Sequence, residues 1–148
     1  MALVPYRVLI VDDDPDTRWM LQTRFALEPD IELVPFAANG EEALERVREH
    51  RPAAVVLDIE MPRMDGARAI PELRAIAPGL GIVLHSASDR AESLSGAARP
   101  DAVVPKGTPL SHLVAAVRSV ARRAAEATDA ALHGLPTGDP DQDPQPAV

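Results

Sequence analysis

The chain of 148 residues contains no cysteine. Disulfide scaffolds, cysteine-ligated zinc sites and thiol nucleophiles are therefore excluded. Aromatic residues make up only 3% of the chain and hydrophobic residues 46%, so the core is expected to be aliphatic. No apolar run approaches the roughly 20 residues of a membrane-spanning helix, and the first residues lack the pattern of a signal peptide. These absences predict a single globular domain in the cytoplasm.

Acidic residues outnumber basic residues by 23 to 15, which gives a net charge of −8. Direct DNA binding is not expected, because contacts to phosphates need clustered lysine and arginine. The charge is uneven, since residues 128–148 contain four aspartates and four prolines but no lysine or arginine. This composition predicts that 128–148 is a disordered, acidic, proline-rich tail after a folded domain over 1–127.

Short aliphatic runs alternate with stretches of helical spacing in the folded part. The alternation predicts an α/β fold, a doubly wound parallel sheet with helices on both faces. The five predicted strands are Tyr6–Val11, Ile31–Phe36, Ala54–Leu57, Gly81–His85 and Ala102–Pro105. The five predicted helices are Pro15–Leu27, Glu41–Glu49, Gly66–Ile76, Asp89–Ala97 and Pro109–Ala127.

The signals for these helices differ in strength. Asp14 is of the type that caps a helix N-terminus, which supports the first helix. Pro71 lies inside the third helix, where it removes one backbone hydrogen bond and is expected to bend or shorten the first turns. Ser93, Ser95 and Gly96 have poor helix propensity, so the fourth helix is expected to be weak and is a candidate moving part.

Polar side chains follow four of the predicted strands at the point where each strand ends. Three aspartates, residues 12–14, follow the first strand, Asp58 the third, Ser86 the fourth and Lys106 the fifth. Because the carboxyl ends of parallel strands meet at one edge, these groups are expected to converge there. Adjacent carboxylates raise one another's pKa unless a cation balances them, and Mg²⁺ suits such a site because it also accepts phosphate oxygens.

The same group of residues predicts phosphoryl chemistry. A carboxylate beside a divalent ion can attack phosphorus and form an acyl phosphate, which makes Asp58 the candidate nucleophile. Lys106 is the single lysine among 15 basic residues, and its compact ammonium suits a small anion pocket. Ser86 is expected to donate a hydrogen bond to the same anion. His85 is interpreted as structural, because its side chain alternates to the other face of the strand from Ser86.

These residues and their surroundings resemble the receiver domain of two-component response regulators, the CheY-like superfamily. The matching segments are Val8–Asp13, Val55–Gly66, Ile82–Ser88 and Ala102–Gly107, which read VLIVDD, VVLDIEMPRMDG, IVLHSAS and AVVPKG. The resemblance extends over about Tyr6 to Arg123. It implies a flavodoxin-like fold with strand order 2-1-3-4-5 and identifies 1–127 as a receiver domain.

Site roles follow from the resemblance, position by position. It implies that Asp13 binds Mg²⁺ directly and Asp12 mainly through water, with Asp58 and the backbone carbonyl of Glu60 as further ligands. Asp14 matches no functional position of the family. We therefore interpret it as a helix cap only.

The resemblance also implies how the phosphoryl group is held and read. Asp58 is the implied phosphoacceptor, Ser86 the switch hydroxyl and Lys106 the lysine that contacts the phosphoryl group. Such families usually carry tyrosine or phenylalanine where this chain has Val103. Since valine has no ring to swing inward, we expect the signal to travel through the loop after Ser86 and the weak fourth helix.

The implied function is a signalling switch rather than an enzyme. A sensor histidine kinase or a phosphotransfer protein would transfer a phosphoryl group to Asp58 with Mg²⁺, and the added charge would shift a conformational equilibrium. Only the proline-rich tail follows the last predicted helix, so we expect a stand-alone receiver. The fourth helix, last strand and last helix would dock a downstream target protein or pair two copies, without membrane binding. A relay intermediate that only passes the phosphoryl group onward is equally compatible with the sequence.

Two other functions remain open at this point. The first is a phospho-independent receiver that serves only as a binding module, although every acidic, hydroxyl and lysine position is filled. The second is a metal-dependent phosphohydrolase of the haloacid-dehalogenase type, which needs the pattern D-x-D-x-[TV]. The residue four beyond Asp12 is Asp16 and the residue four beyond Asp14 is Arg18, so that pattern is absent.

Overall fold

Five parallel strands form the centre of the molecule in the order β2-β1-β3-β4-β5, which confirms the strand order implied by the family resemblance. The computed structural model describes residues 4–61, 64, 66–87 and 89–133. The strands are β1 Tyr6–Val11, β2 Ile31–Leu33, β3 Ala54–Leu57, β4 Gly81–Ser86 and β5 Ala102–Pro105. Each pairs in parallel with its neighbours in the sheet.

Four α-helices occur in the described part of the chain. They are α1 Pro15–Phe25, α2 Gly40–His50, α3 Gly66–Ile76 and α4 Leu110–His133. The third helix runs through Pro71 with the predicted bounds, so the proline does not shorten it. None of the described helices has the length and apolar character needed to cross a lipid bilayer.

The prediction of a fourth α-helix over Asp89–Ala97 is wrong. Two short 3₁₀ segments take its place, Asp89–Ser93 and Gly96–Ala98. Gly96, the first residue of the second segment, has a φ of 60°, in the left-handed region where an α-helix cannot continue. Serine and glycine supply too little helix propensity here to maintain i to i−4 hydrogen bonding across this stretch.

Several other boundaries differ from the sequence prediction. α1 ends at Phe25 instead of Leu27, α2 extends one residue further at each end, and α4 begins at Leu110 instead of Pro109. β2 ends at Leu33 instead of Phe36, because Pro35 has no N–H to donate to a neighbouring strand. β4 includes Ser86, one residue beyond the predicted end. α4 continues to His133 instead of ending at Ala127, so the tail predicted from 128 begins with helical residues. The remainder of that tail, 134–148, lies outside the described residues.

Two aliphatic clusters, one on each face, hold the helices to the sheet. Alternate residues of β1 point to opposite faces, so Leu9 and Val11 join the α2–α3 cluster while Val8 and Ile10 join the α1–α4 cluster. Phe25 is the largest fully buried side chain. The two layers cover both faces of the sheet and leave the polar groups at its carboxyl edge.

Candidate functional site

Asp12 and Asp58 lie side by side because their strands are neighbours in register. Val11 pairs with Leu57 at the ends of β1 and β3, so the residue after each enters the same edge of the sheet. Asp12 is 2% exposed and Asp58 5% exposed. Two nearly buried carboxyl groups at one sheet edge require a compensating positive charge.

A third carboxylate completes an acidic cluster. Carboxylate oxygens of Asp12, Asp13 and Asp58 lie within 4.8 Å of one another. Asp13 is exposed to solvent, whereas the other two are buried. The cluster therefore has a buried side, formed by two strands, and an open side through which a ligand can enter.

Lys106 is the positive group that contacts both buried carboxylates. Its Nζ atom lies 3.0 Å from Oδ2 of Asp12 and 3.1 Å from Oδ2 of Asp58. The backbone N–H of Lys106 donates to the carbonyl oxygen of Ser86 at 3.1 Å, which ties the end of β5 to the end of β4. From this position the Lys106 side chain extends past β4 to the ends of β1 and β3.

Burial and neighbouring charges shift the pKa values of Asp12 and Lys106. Burial raises the pKa of the Asp12 carboxyl above its ordinary value, although hydrogen bonds from the Asp14 amide and from Lys106 oppose the rise. Burial alone would lower the pKa of Lys106, but its hydrogen bonds and attraction to Asp12 and Asp58 outweigh this and raise it. The lysine is therefore a permanent cation in the site.

The loop after β3 orients the Asp58 carboxylate. The backbone N–H of Glu60 donates to Oδ1 of Asp58 at 3.2 Å, while the Glu60 side chain pairs with Arg90 at 2.8 Å. At the start of α3, the Gly66 N–H donates to the Ile59 carbonyl oxygen at 2.9 Å. A Cβ atom on Gly66 would collide with the backbone carbonyl oxygen of Asp58, so only glycine lets this loop close against the site.

Ser86 and His85 end β4 on opposite faces of the sheet. Ser86 is buried and stands on the next strand from Asp58, close to Lys106. His85 is also buried, and within the described structure its Nδ1 atom has no hydrogen-bond partner. Burial and the charge of Lys106 lower the pKa of His85 to about 4, with Asp58 opposing. The histidine is therefore neutral and buried, as its interpretation as a structural residue requires.

Asp14 caps α1, as the sequence predicted. Its carboxylate accepts hydrogen bonds from the backbone N–H of Asp16 and Thr17 and from the Thr17 hydroxyl. These bonds lower the pKa of Asp14, the Thr17 hydroxyl most. Its oxygens are thus engaged by the helix N-terminus and are separate from the acidic cluster.

Sequence reasoning missed Arg18. Its Nη1 atom donates to the backbone carbonyl oxygen of Asp12 at 2.7 Å, and its Cζ atom lies 4.2 Å from the centre of the Phe36 ring. The spacing carried a signal, because Arg18 lies one helical turn after the capping residue Asp14, which directs it back toward the loop before α1. The Glu60–Arg90 pair was missed as well, since it joins loops 30 residues apart.

The donor set fits a hard divalent cation. Three carboxylates and one ammonium leave two negative charges when all are ionised, which a divalent ion would neutralise. Carboxylate oxygens are the ligands that Mg²⁺ prefers, and the exposed side of the cluster leaves room for the water molecules it retains.

Comparison with known proteins agrees with this geometry. The family profile described as the response regulator receiver domain matches residues 8–118. The response regulator MprA of Mycobacterium sp. (strain KMS) is 38% identical over 122 residues, which cover 81% of this chain and 52% of that protein. A protein-glutamate methylesterase/protein-glutamine glutaminase of Moorella thermoacetica is 44% identical over 82 residues, 55% of this chain and 19% of that protein.

Solved structures show the same relationship. The signal receiver domain of the putative response regulator NarL from Mycobacterium tuberculosis matches with a TM-score of 0.74 and 28% identity, over 81% of this chain and 98% of that one. The response regulator domain of Thermotoga maritima CheB matches with a TM-score of 0.72 and 26% identity, over 80% and 97%. The chain spans about half the length of MprA. It spans a smaller share of the methylesterase.

The family match covers most of the chain and includes every strand end at which the acidic, hydroxyl and lysine side chains meet. Receiver domains of this kind are the phosphorylation-accepting switches of two-component systems, and they bind Mg²⁺ at acidic residues. The chain belongs to the response regulator receiver domain family.

Proposed function

We propose that Asp58 is the phosphoacceptor of this receiver and that Asp12, Asp13, Asp58 and the Glu60 backbone carbonyl hold Mg²⁺. One observation carries the proposal: Lys106 bridges the buried carboxylates of Asp12 and Asp58, with Asp13 in the same cluster. An ordinary structural ion pair needs one carboxylate for one ammonium. The two additional acids are explained when the site accommodates a divalent ion and an incoming anion.

The phosphoryl donor is a phosphohistidine of a sensor histidine kinase or of a phosphotransfer protein. An oxygen of the Asp58 carboxylate attacks the phosphorus atom, the P–N bond breaks, and the imidazole leaves with the electron pair. The product is an acyl phosphate on Asp58. Hydrolysis later transfers the phosphoryl group to water and restores the carboxylate.

Lys106 and Ser86 stabilise the transferred group. The Lys106 ammonium already lies 3.1 Å from Asp58, so it needs little movement to contact a phosphoryl oxygen there. The buried Ser86 hydroxyl stands at the neighbouring strand end and donates to a second oxygen. Bound Mg²⁺ would neutralise negative charge that builds up on the phosphoryl oxygens.

The phosphorylated domain signals by contact with another protein. The phosphoryl group adds about two negative charges beside Lys106, which biases the segment after Ser86. That segment contains the two 3₁₀ helices, and short 3₁₀ helices have weak hydrogen bonding, so it can rearrange at low cost. Val103 on β5 is 42% exposed, and we propose β5, α4 and the 3₁₀ segments as the surface for a target or a second copy.

The test is phosphorylation by acetyl phosphate with Mg²⁺, followed by intact-mass spectrometry. The wild type should gain one phosphoryl group that hydroxylamine removes, and Asp58→Asn should gain none. Asp16→Asn is the matched control, because Asp16 belongs to the same acidic stretch but lies exposed on α1. Equal labelling of the wild type and Asp58→Asn would disprove the assignment of the nucleophile.

The same experiment separates the two other functions. A phospho-independent binding module would show no labelling of the wild type at any Mg²⁺ concentration. A phosphohydrolase would release phosphate continuously from p-nitrophenyl phosphate, without a stable product on the protein. A receiver should show labelling and no sustained ester hydrolysis.

A further inference from the structure

Arg18 connects two loops at the rim of the acidic cluster. From the second turn of α1 its guanidinium reaches back and donates to the backbone carbonyl oxygen of Asp12 at 2.7 Å. The same guanidinium lies 4.2 Å from the centre of the Phe36 ring, which belongs to the segment between β2 and α2. One planar group thus makes a hydrogen bond at its edge and a stacking contact on its face.

The bonded carbonyl belongs to the peptide that joins Asp12 to Asp13. Peptide groups are planar, so holding this oxygen also fixes the direction of the Asp13 N–H and the position of the Asp13 Cα atom. The other side of the loop is held as well, because Oδ1 of Asp12 accepts from the Asp14 N–H at 2.9 Å. Asp13 itself is exposed, so the position of its carboxylate depends mainly on this backbone.

Phe36 lies where its ring can support the Arg18 guanidinium. It is 38% exposed, and exposed phenylalanine contributes little to the core. Its carbonyl oxygen accepts from Nε of Arg46 at 3.0 Å, and the next residue, Ala37, exchanges backbone hydrogen bonds with the end of β1 at Ile10 and Asp12. The ring is therefore anchored to the strand end that carries the acidic pair.

We propose that Arg18, supported by Phe36, is a positioning residue for the metal ligand Asp13. It holds the Asp12–Asp13 peptide in the orientation that presents the Asp13 carboxylate to a divalent cation. This inference rests on the proposed function, since it requires that the acidic cluster bind Mg²⁺. Lysine cannot replace arginine here, because an ammonium cannot both stack on the ring and donate from its edge.

Charge and geometry make opposite predictions for this residue, which allows a decisive test. Arg18 is a cation near a cation site, so its charge alone would repel Mg²⁺, and its removal would strengthen binding. If it positions Asp13, its removal weakens binding instead. The probe is MgCl₂ itself, titrated into ¹⁵N-labelled full-length protein while the amide shifts of Asp13 and Glu60 are followed by NMR.

We expect Arg18→Gln to weaken Mg²⁺ binding by about tenfold, as loss of an outer support for a metal ligand commonly does. Arg18→Lys should restore little of this loss, and Phe36→Leu should weaken binding by a smaller factor in the same direction. Combining Arg18→Gln with Phe36→Leu should add almost nothing to Arg18→Gln, because both act through one contact. Unchanged or tighter binding by Arg18→Gln would overturn the inference.

The matched control is Arg74→Gln. Arg74 also donates to backbone carbonyls, at 3.1 Å to Leu80 and 2.9 Å to Arg99, but at a position distant in the fold from the acidic cluster. The Arg74→Gln variant should lower thermal stability in EDTA about as much as Arg18→Gln does. Its Mg²⁺ affinity should equal that of the wild type. Equal loss of Mg²⁺ affinity in both variants would show a purely structural role and overturn the inference.

Wild type and Asp13→Asn separate this inference from the proposed function. If wild-type protein shows no Mg²⁺-dependent shift, the proposed metal site fails and the role of Arg18 fails with it. If wild type binds, Asp13→Asn does not, and Arg18→Gln binds like wild type, only the role of Arg18 is wrong.

Discussion

The Nζ atom of Lys106 lies 3.1 Å from Oδ2 of Asp58, although 48 residues separate the two in the chain. A cation at this place competes with any metal ion that binds the same carboxylates. In Lys106→Met that competition disappears, so Mg²⁺ affinity should rise, by roughly fivefold for the loss of about 1 kcal/mol of repulsion. Phosphorylation by acetyl phosphate should fall, because the transferred group loses its ammonium partner.

For Lys106→Met, Mg²⁺ titration followed by NMR measures the affinity. Mass spectrometry measures the rate of labelling by acetyl phosphate. Lys106→Arg keeps the charge and serves as its control, with Mg²⁺ affinity close to wild type. A Lys106→Met variant that bound Mg²⁺ more weakly would contradict the proposed arrangement of charges.

Asp12 is expected to reduce the stability of the metal-free protein. Burial raises the pKa of its carboxyl, so the ionised form is disfavoured in the folded state, and its contribution to stability decreases as the pH rises through that pKa. At pH 7 in EDTA, Asp12→Asn should therefore increase the free energy of unfolding, because asparagine does not ionise and Lys106 keeps Asp58 as its partner. Urea denaturation measures the change.

Asp13→Asn is the matched variant for Asp12→Asn. Asp13 is exposed, so its removal should change stability by less than about 0.5 kcal/mol. Both variants should bind Mg²⁺ more weakly than the wild type. Equal stabilisation by the two substitutions would show that burial of Asp12 is not the cause.

His85 should make the protein sensitive to mild acid. Burial lowers the pKa of His85 from 6.5 to about 4, so the unfolded chain binds a proton at higher pH than the folded chain. The free energy of unfolding should therefore fall between pH 6.5 and about 4, by about 3 kcal/mol in total from this group. His85→Leu should lose less stability over the same range.

The comparison of wild type and His85→Leu by urea denaturation at pH 7 and pH 4.5 isolates this group, since acidic residues titrate alike in both. The imidazole Cε1 proton gives the pKa directly by NMR. A midpoint near 6.5 would mean that the ring reaches water in solution.

Gly66 should tolerate no side chain. Its Cβ would collide with the carbonyl oxygen of Asp58, so Gly66→Ala should destabilise the domain by about 1–3 kcal/mol and slow phosphorylation of Asp58. Gly79→Ala is the control, because a Cβ there meets no atom within 4 Å. Thermal unfolding and acetyl phosphate labelling test both variants, and similar behaviour of the two would refute the close approach at Gly66.

The strands and most helices were predictable because their signals are local. Aliphatic runs bounded by turn residues located β1, β3 and β5 with their observed ends, and Asp14 located the start of α1. The segment after β4 was not predictable in the same way. A repeating apolar pattern over 89–97 resembles a helix, but the left-handed Gly96 and the weak propensities around it produce two 3₁₀ turns instead.

Within the site, the sequence was informative about residue types and less so about contacts. The acids, the serine and the lysine stand at strand ends, so a parallel sheet had to bring them to one edge. Arg18 and Arg90 act through a carbonyl oxygen and a carboxylate in other loops. The spacing of Asp14 and Arg18 points the arginine back toward the loop before α1, but the oxygen that each arginine contacts depends on how the loops pack.

Local sequence alone thus determined the order of elements, the aliphatic core and the set of chemical groups at the carboxyl edge, since each depends on propensity, periodicity and residue type. Tertiary structure decided which of those groups meet. The register of β1 with β3 places Asp12 beside Asp58, and the pairing of β5 with β4 sets Lys106 where its ammonium reaches both. Burial, which depends on the packing of the whole chain, then raises the pKa of the Asp12 carboxyl and lowers the pKa of His85.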